Sequence, residues 1–328
     1  MNDNDDVTAA RPERALRERV GLSIHAIAGV DAPTLVDLIV QAEEAGVKQV
    51  WATQGGASTD LLTAYAAAFQ RTGEIRLGTS IVPIYPRHPL ALAQQAATAA
   101  GLGPGRLRLG VGTSHRPSIE GVYGMKMEEP LEYLKEYVQV LRAALWDGSI
   151  DHKGRFFTAK VRMNHPQPVP VLMATLGEKA FRLAGEISDG AISWNVPARH
   201  LLNVALPALR EGAKSAGRTA PPLVAHVPVV LSEDAAVARA AAKKALSVYA
   251  RLPFYYNMWA AAGYPLEAED SVSDDLVDNL VVIGDEAAVA ARLHELLDLG
   301  LDELLLNGLP AGDAVTERTR LIRLIGDL

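Results

Sequence analysis

Cysteine is absent from the 328 residues, which excludes disulfides, thiolate metal sites and cysteine nucleophiles together. Long apolar runs are missing too. None approaches the roughly 20 residues that a transmembrane helix needs, and the longest small-residue stretch, 236–246, carries Arg239, Lys243 and Lys244. The opening residues MNDNDDVTAARPERALRERV lack the apolar core of a signal peptide, so a cytoplasmic protein is expected, with residues 1–19 a flexible tail ahead of a domain spanning 20–328. Positive charge is scarce: 32 Lys and Arg stand against 39 Asp and Glu, a net charge of −7. No dense basic stripe is left for nucleic acid. With 49% hydrophobic residues and a mean hydropathy of +0.08, the composition is that of a folded globular protein.

From Val20 onward, short apolar and β-branched runs alternate with longer helical patterns, as in βα units around a buried parallel sheet. Eight strands are expected: Gly21 to His25, Gln49 to Thr53, Arg76 to Val82, Arg106 to Val111, Val169 to Ala174, Ala191 to Trp194, Leu223 to Leu231 and Glu303 to Asn307. The stretches TLVDLIVQAEEAG, PLALAQQAATAAG, PLEYLKEYVQVLRAALWDG and EAAVAARLHELLDLG repeat apolar residues every three or four positions. Several stop at Gly, and Pro33 and Pro130 sit where a first turn has no N–H to lose. Eight such units favour a closed (β/α)8 TIM barrel over an open doubly wound sheet, whose edges would call for charged or Pro-blunted strands that are not seen. The stretches Thr113 to Glu129, Ile150 to Pro168 and Pro253 to Asp275 break the rhythm. The first and third follow strands and are candidate walls or lids of a site at the C-terminal face. The second reads as a hairpin turning at Lys153-Gly154.

Carboxylates are what the strand ends lack. Those ends offer His25, Gln54, Pro83, Ser114 with His115, Thr175, Trp194 with Asn195, and Asn307, so the paired acids of a glycosidase are missing. No H-x-H or H-E-x-x-H motif supplies a metal site. Gly110 and Gly112 lack the third glycine of a dinucleotide fingerprint, since His115 stands in its place, and no helix is expected to follow at once. Gly112-Thr113-Ser114-His115-Arg116 lacks the final small residue of a nucleophile elbow. What remains is a mouth of neutral hydrogen-bonding groups, glycines and aromatics, suited to a planar cofactor that brings its own chemistry. Gly110 and Gly112 would let the fourth strand approach something flat. Ser114 and His115 would point into the mouth, His115 being alternatively a solvated loop histidine. His226, within the seventh strand, reads as a hydrogen-bonded core histidine.

Four segments resemble the luciferase-like oxidoreductases, in particular their branch that uses the deazaflavin coenzyme F420. They are Leu77 to Pro83 continuing through Tyr85-Pro86-Arg87-His88-Pro89, Gly105 to Ser114, Ala174 to Ala180, and Leu183 to Gly190. The resemblance runs from about Val20 to Leu328. It implies a hydride transfer to or from a small organic substrate, an activated C=C or C=N bond being one expectation. It also implies a non-prolyl cis peptide between Ser80 and Ile81, as a bulge behind the central ring of the cofactor. The turn Ala174-Thr175-Leu176-Gly177-Glu178 opens a helix whose N–H groups suit a phosphate, and the resemblance implies that use.

One departure is informative. Many deazaflavin-dependent relatives place an Asp-His pair after the second strand, where this chain has Thr53-Gln54-Gly55-Gly56; the change argues against a sugar-phosphate dehydrogenase. Gln54 would then bond the cofactor ring or the substrate. His115 is the expected proton donor, His25 the second candidate, and Trp194, Asn195, Tyr255, Tyr256 and Trp259 the expected substrate-side wall. The alternatives are an FMN-dependent monooxygenase and a non-catalytic flavin-binding barrel. A small-molecule substrate and a homodimer are expected, with no nucleic-acid or membrane partner and no metal.

Overall fold

Each expected βα unit contributes one strand to a ring. The computed structural model describes residues 14–25, 29–56, 58–266 and 271–328. Its strands are β1 (Val20–Ile24), β2 (Gln49–Ala52), β3 (Arg76–Thr79), β4 (Val82–Pro83), β5 (Leu107–Gly112), β6 (Ser149–Lys153), β7 (Thr158–Arg162), β8 (Val171–Ala174), β9 (Gly190–Ser193), β10 (Leu223–Leu231), β11 (Val282–Gly284) and β12 (Glu303–Gly308). Eight of these, in the order β1-β2-β3-β5-β8-β9-β10-β12, pair in parallel, and the β12–β1 and β9–β10 pairings close the barrel. Closure removes the sheet edges, which explains why no strand needed blunting. The single strand expected at Arg76 to Val82 is split. The Ser80–Ile81 peptide is cis, as the resemblance implied, and beyond it β4 pairs only with β5. β11, a short addition beside β10, was not anticipated.

Helices run outside the ring, and most open on an acceptor side chain that takes first-turn N–H groups: Asp31, Asp60, Asp234, Ser273, Asp285 and Asp313 all do so. The stretch PLEYLKEYVQVLRAALWDG forms a helix at Pro130–Arg142, continues in wider turns to Asp147, and stops at Gly148 with φ of 66°. β6 and β7 form the expected antiparallel hairpin. Its turn is organised by the Glu136 carboxylate, which accepts the N–H groups of Arg155, Phe156 and Phe157. Residues 1–13 of the expected tail lie outside the described residues. The rest of it is built into the barrel: Leu16–Arg19 is helical, and the Arg19 guanidinium donates to the carbonyls of Leu301 and Asp302 at 2.7 and 3.0 Å. Among the described residues no helix is long and apolar enough to cross a membrane.

The barrel interior is layered. Its middle is a cluster of Trp51, Leu172, Ile192, Val224 and Leu305. Gly78 makes room for the Trp51 indole, because a Cβ there would lie 2.2 Å from it. Gly110, expected to face something flat, is likewise a packing glycine, hemmed in by the Thr79 carbonyl and Ile192. At the N-terminal end a buried polar network forms the floor. Arg108 meets Glu303 at 2.6 Å, Arg14 meets the same carboxylate at 3.0 Å, and Gln49 links Arg108 to the Trp51 N–H. With floor and middle both filled, a ligand can enter the barrel only at the C-terminal end.

Candidate active site

The strand ends at that face gather rings. Side chains alternate across a strand, so Val224, His226 and Pro228 of β10 share the inward side. The His226 imidazole lies on the Trp194 indole, with centroids 3.6 Å apart and planes at 21°. His25, beyond the end of β1, lies 5.2 Å from the same indole. The Trp194 N–H donates to the Tyr249 hydroxyl at 3.0 Å, and the Tyr249 ring meets Tyr255 edge-on at 4.8 Å. Tyr255 in turn sits 5.5 Å from His115, which follows β5. The result is a continuous arc, His25–His226–Trp194–Tyr249–Tyr255–His115, around one side of the mouth.

Each histidine in the arc carries an unpaired, buried ring nitrogen: Nε2 of His25, Nε2 of His226 and Nδ1 of His115. The Ser23 hydroxyl, one inward position before His25, is also buried without a partner. Buried polar atoms are nearly always satisfied, so this concentration singles out this end of the barrel as the candidate site. Burial disfavours the imidazolium form in all three rings. It lowers the pKa of His25, lowers that of His115 to about 4, and places that of His226 well below its ordinary value, with His25 adding to the last effect. At neutral pH the arc is therefore uncharged. Among the described residues no group of three or more His, Asp or Glu is placed to hold a metal ion.

Two strand ends have left-handed backbone, Ser114 with φ of 58° and Asn195 with φ of 51°. Such residues are uncommon and gather at functional sites. The Ser114 turn leads into a helical segment that opens at Arg116 and widens over Pro117–Val122, nearer than the sequence suggested. On the other wall, a Cβ at Gly112 would lie 2.8 Å from Ala174 and 3.2 Å from Ile81, so the missing side chain lets β5 pack closely against Ala174 and the Ile81 side chain that follows the cis peptide. Beyond Ala174, the helix Glu178–Ile187 begins at Gly177 with no side-chain cap and open space where a Cβ would be. Glu178 is exposed and pairs with Arg182. Thr175 is buried, its hydroxyl bonded to the Ile192 carbonyl at 3.3 Å, so only the backbone from Leu176 onward is available to an anion.

Several expected side chains are placed elsewhere. Gln54 turns into its own loop, its side-chain oxygen accepting the Leu61 N–H at 3.2 Å. Asn195 and Trp259, expected on the substrate side, are buried behind the arc. There the Trp259 N–H donates to the Asn195 carbonyl at 2.8 Å, and the Asn195 N–H donates to Nδ1 of His226 at 3.3 Å. Both residues act as framework. Tyr256 is exposed and lies outside the arc, whereas its neighbour Phe254 approaches His115 at 6.4 Å. Reading along the sequence missed Tyr249 and underrated His226. The alternation Val224, His226, Pro228 on a strand with Leu223, Ala225 and Val227 outward was the available signal for His226; nothing distinguished Tyr249.

The luciferase-like monooxygenase family profile matches residues 16–303. An F420-dependent glucose-6-phosphate dehydrogenase of Amycolatopsis mediterranei is 27% identical over 304 residues, covering 84% of this chain and 88% of its own. A 5,10-methylenetetrahydromethanopterin reductase of Methanolobus tindarius is 27% identical, covering 87% of this chain and 92% of its own. Among solved structures, the coenzyme F420-dependent tetrahydromethanopterin reductase from Methanopyrus kandleri superposes with a TM-score of 0.76 at 21% identity, over 94% of this chain and 97% of that one.

Proposed function

The chain belongs to the luciferase-like monooxygenase family, and from that premise we propose that it is a coenzyme F420-dependent oxidoreductase acting on a small organic substrate at the mouth of its barrel. The observation that carries this reading is the set of buried imidazole nitrogens left without partners at the strand ends, in a barrel that also bears the Ser80–Ile81 cis peptide. The residues fit a deazaflavin. Ser80, Ile81, Gly112 and Ala174 would back its ring system, and the uncapped helix end from Leu176 through Gly177 to Glu178 would receive its phosphate. When bound, the deazaflavin exchanges a hydride with the substrate carbon.

The protein's own part is the proton. His115 was expected to donate it, but a ring with a pKa of about 4 is almost wholly unprotonated at neutral pH. Its ready role is acceptance: as hydride leaves the carbon of an alcohol, the neutral imidazole takes the hydroxyl proton. In the reverse direction the imidazolium formed by that transfer would return the proton to the substrate oxygen. The helix Pro253–Ala261, through Phe254 and Tyr255, covers His115 and keeps its environment poor in water. The test is a titration of the protein with oxidised coenzyme F420 and with FMN, followed by absorbance and fluorescence. Tight F420 binding with weaker FMN binding is expected; tight FMN with no F420 binding would replace this reading with a flavin monooxygenase.

A further inference from the structure

We propose that His226 is the specificity-determining donor of this site, its Nε2–H selecting a substrate whose reacting group is an uncharged oxygen, a carbonyl or the corresponding alcohol, over phosphorylated or cationic substrates. The inference rests on the site assignment above and names its substrate class.

The ring's tautomer follows from its surroundings. Nδ1 of His226 faces the Asn195 N–H at 3.3 Å, and a nitrogen that accepts a hydrogen bond carries no proton. The neutral imidazole must then hold its proton on Nε2. That N–H is buried and has no partner in the protein. Its direction is fixed as firmly as its charge, because the ring is clamped between the Asn195 backbone and the Trp194 indole, and Asn195 is itself anchored by Trp259. A donor held in place and left unmade costs free energy until an acceptor arrives.

Position assigns the acceptor. In the ring β1-β2-β3-β5-β8-β9-β10-β12, β10 stands four places from β3 in either direction. His226 therefore stands across the barrel from β3 and from the cis peptide that follows it. A planar cofactor held on that wall would leave the β10 side to the substrate, and Nε2–H of His226 would then be offered to the substrate. Its chemistry is bounded by the arc: His25, His226, Trp194, Tyr249, Tyr255 and His115 are all uncharged at neutral pH. A phosphate brought against them would lose its hydration without gaining a counter-charge, and an ammonium would find no carboxylate among them. A carbonyl or hydroxyl oxygen needs only the donor that is there.

The test is calorimetric titration of the protein saturated with coenzyme F420, using cyclohexanone, cyclohexanol, cyclohexyl phosphate and cyclohexylamine. Coenzyme binding is measured beforehand, so its failure is seen separately, and the panel is then run on the protein alone. The two neutral probes should bind at least tenfold more tightly than either charged one. Failure of both neutral probes to bind, or a charged probe binding as well as they do, overturns the proposal. Two variants separate recognition from framework. His226→Asn keeps an acceptor near Nδ1 for the Asn195 N–H and removes the outer donor; His226→Gln does the reverse. Cyclohexanone affinity should fall about three- to tenfold in His226→Asn, as the loss of one hydrogen bond implies, and stay within twofold in His226→Gln. Any other ordering of the two, including both matching the parent, overturns the assignment, and the probe panel on the parent protein stands even if a variant misfolds.

Discussion

The floor of the barrel offers the sharpest stability test, because one carboxylate there serves several partners. Glu303 is almost completely buried and accepts from Arg108 at 2.6 and 3.3 Å, from Arg14 at 3.0 Å and from Gln49 at 3.4 Å. Breaking a buried pair by removing one member costs about 3–5 kcal/mol, chiefly because the remaining charge is stranded. Arg108→Met retains a flexible side chain to pack over the Trp51 indole, where the guanidinium carbon now sits 4.8 Å from the ring. Arg14 stays, but its side chain is 37% exposed against 14% for Arg108, so its compensation is partial. A loss of about 3 kcal/mol is expected. With an unfolding entropy near 2.1 cal/mol/K per residue, that lowers Tm by about 4 °C for a chain of this length. Urea unfolding should show the midpoint falling with the slope unchanged. The acid limb adds a second check. Burial alone would raise the Glu303 pKa, but Arg108 and Arg14 outweigh it and hold it below the usual carboxylate range. Such a group stabilises the fold above its unfolded pKa of about 4.3 and loses that contribution as pH falls through the lower folded value. The gap between parent and Arg108→Met should therefore be full at pH 7 and close below about pH 4. A gap under about 0.5 kcal/mol at pH 7, or one that widens in acid, would refute the reasoning.

Three further outcomes are expected. Gly177→Asp meets no steric obstacle and supplies the missing cap of the helix Glu178–Ile187, so thermal unfolding should show a gain of about 0.5–1 kcal/mol while F420 affinity falls more than tenfold; unchanged affinity moves the phosphate elsewhere. His115→Ala should lower turnover by a factor of about a hundred to ten thousand with F420 affinity nearly unchanged. In the parent, a base whose pKa is lowered to about 4 stays competent until pH falls to that value, so an acid limb of kcat/KM near 6.5 would contradict the assignment. Trp259→Phe strands the buried Asn195 carbonyl and should cost about 1–3 kcal/mol in chemical denaturation, with substrate affinity reduced only through the orientation of His226; a large kinetic loss without destabilisation would put Trp259 back against the substrate.

The barrel and its working end were legible in the sequence because both depend on local pattern. Parallel strands buried on both faces must be short apolar runs, helices must repeat every three or four residues, and a loop after a strand falls at one end of the ring. Side-chain roles were less legible because they depend on which face a residue occupies after folding. Gly110 and Gly112 read as places for something flat to approach, yet the barrel fills the space beside them itself, with Ile192 at the first and Ala174 and Ile81 at the second. Tyr255, Tyr256 and Trp259 read as one substrate-side wall. On a helix they point in different directions: Tyr255 and Trp259, four apart, share the buried face, and Phe254 and Tyr256 are exposed. Helical phase could have separated them once 253–261 was recognised as a helix rather than a loop.

His226 shows why the distinction between a core and a functional histidine does not hold at a strand end. One ring nitrogen meets the framework and the other is left open, so both descriptions apply to the same side chain. Sequence can place such a residue on a strand but cannot show that only one of its two valences is filled. That count requires Asn195, which reaches Nδ1 through a left-handed backbone, and Trp259, which holds Asn195 from a helix 64 positions later. The residues taken for a substrate wall are thus what fixes the direction of the donor. Preorganisation of this kind matters most where a single hydrogen bond must discriminate, since a donor already locked in place loses little further freedom on binding. Beside an arc that carries no charge, the proposed selection would then depend on oxygen geometry rather than on charge.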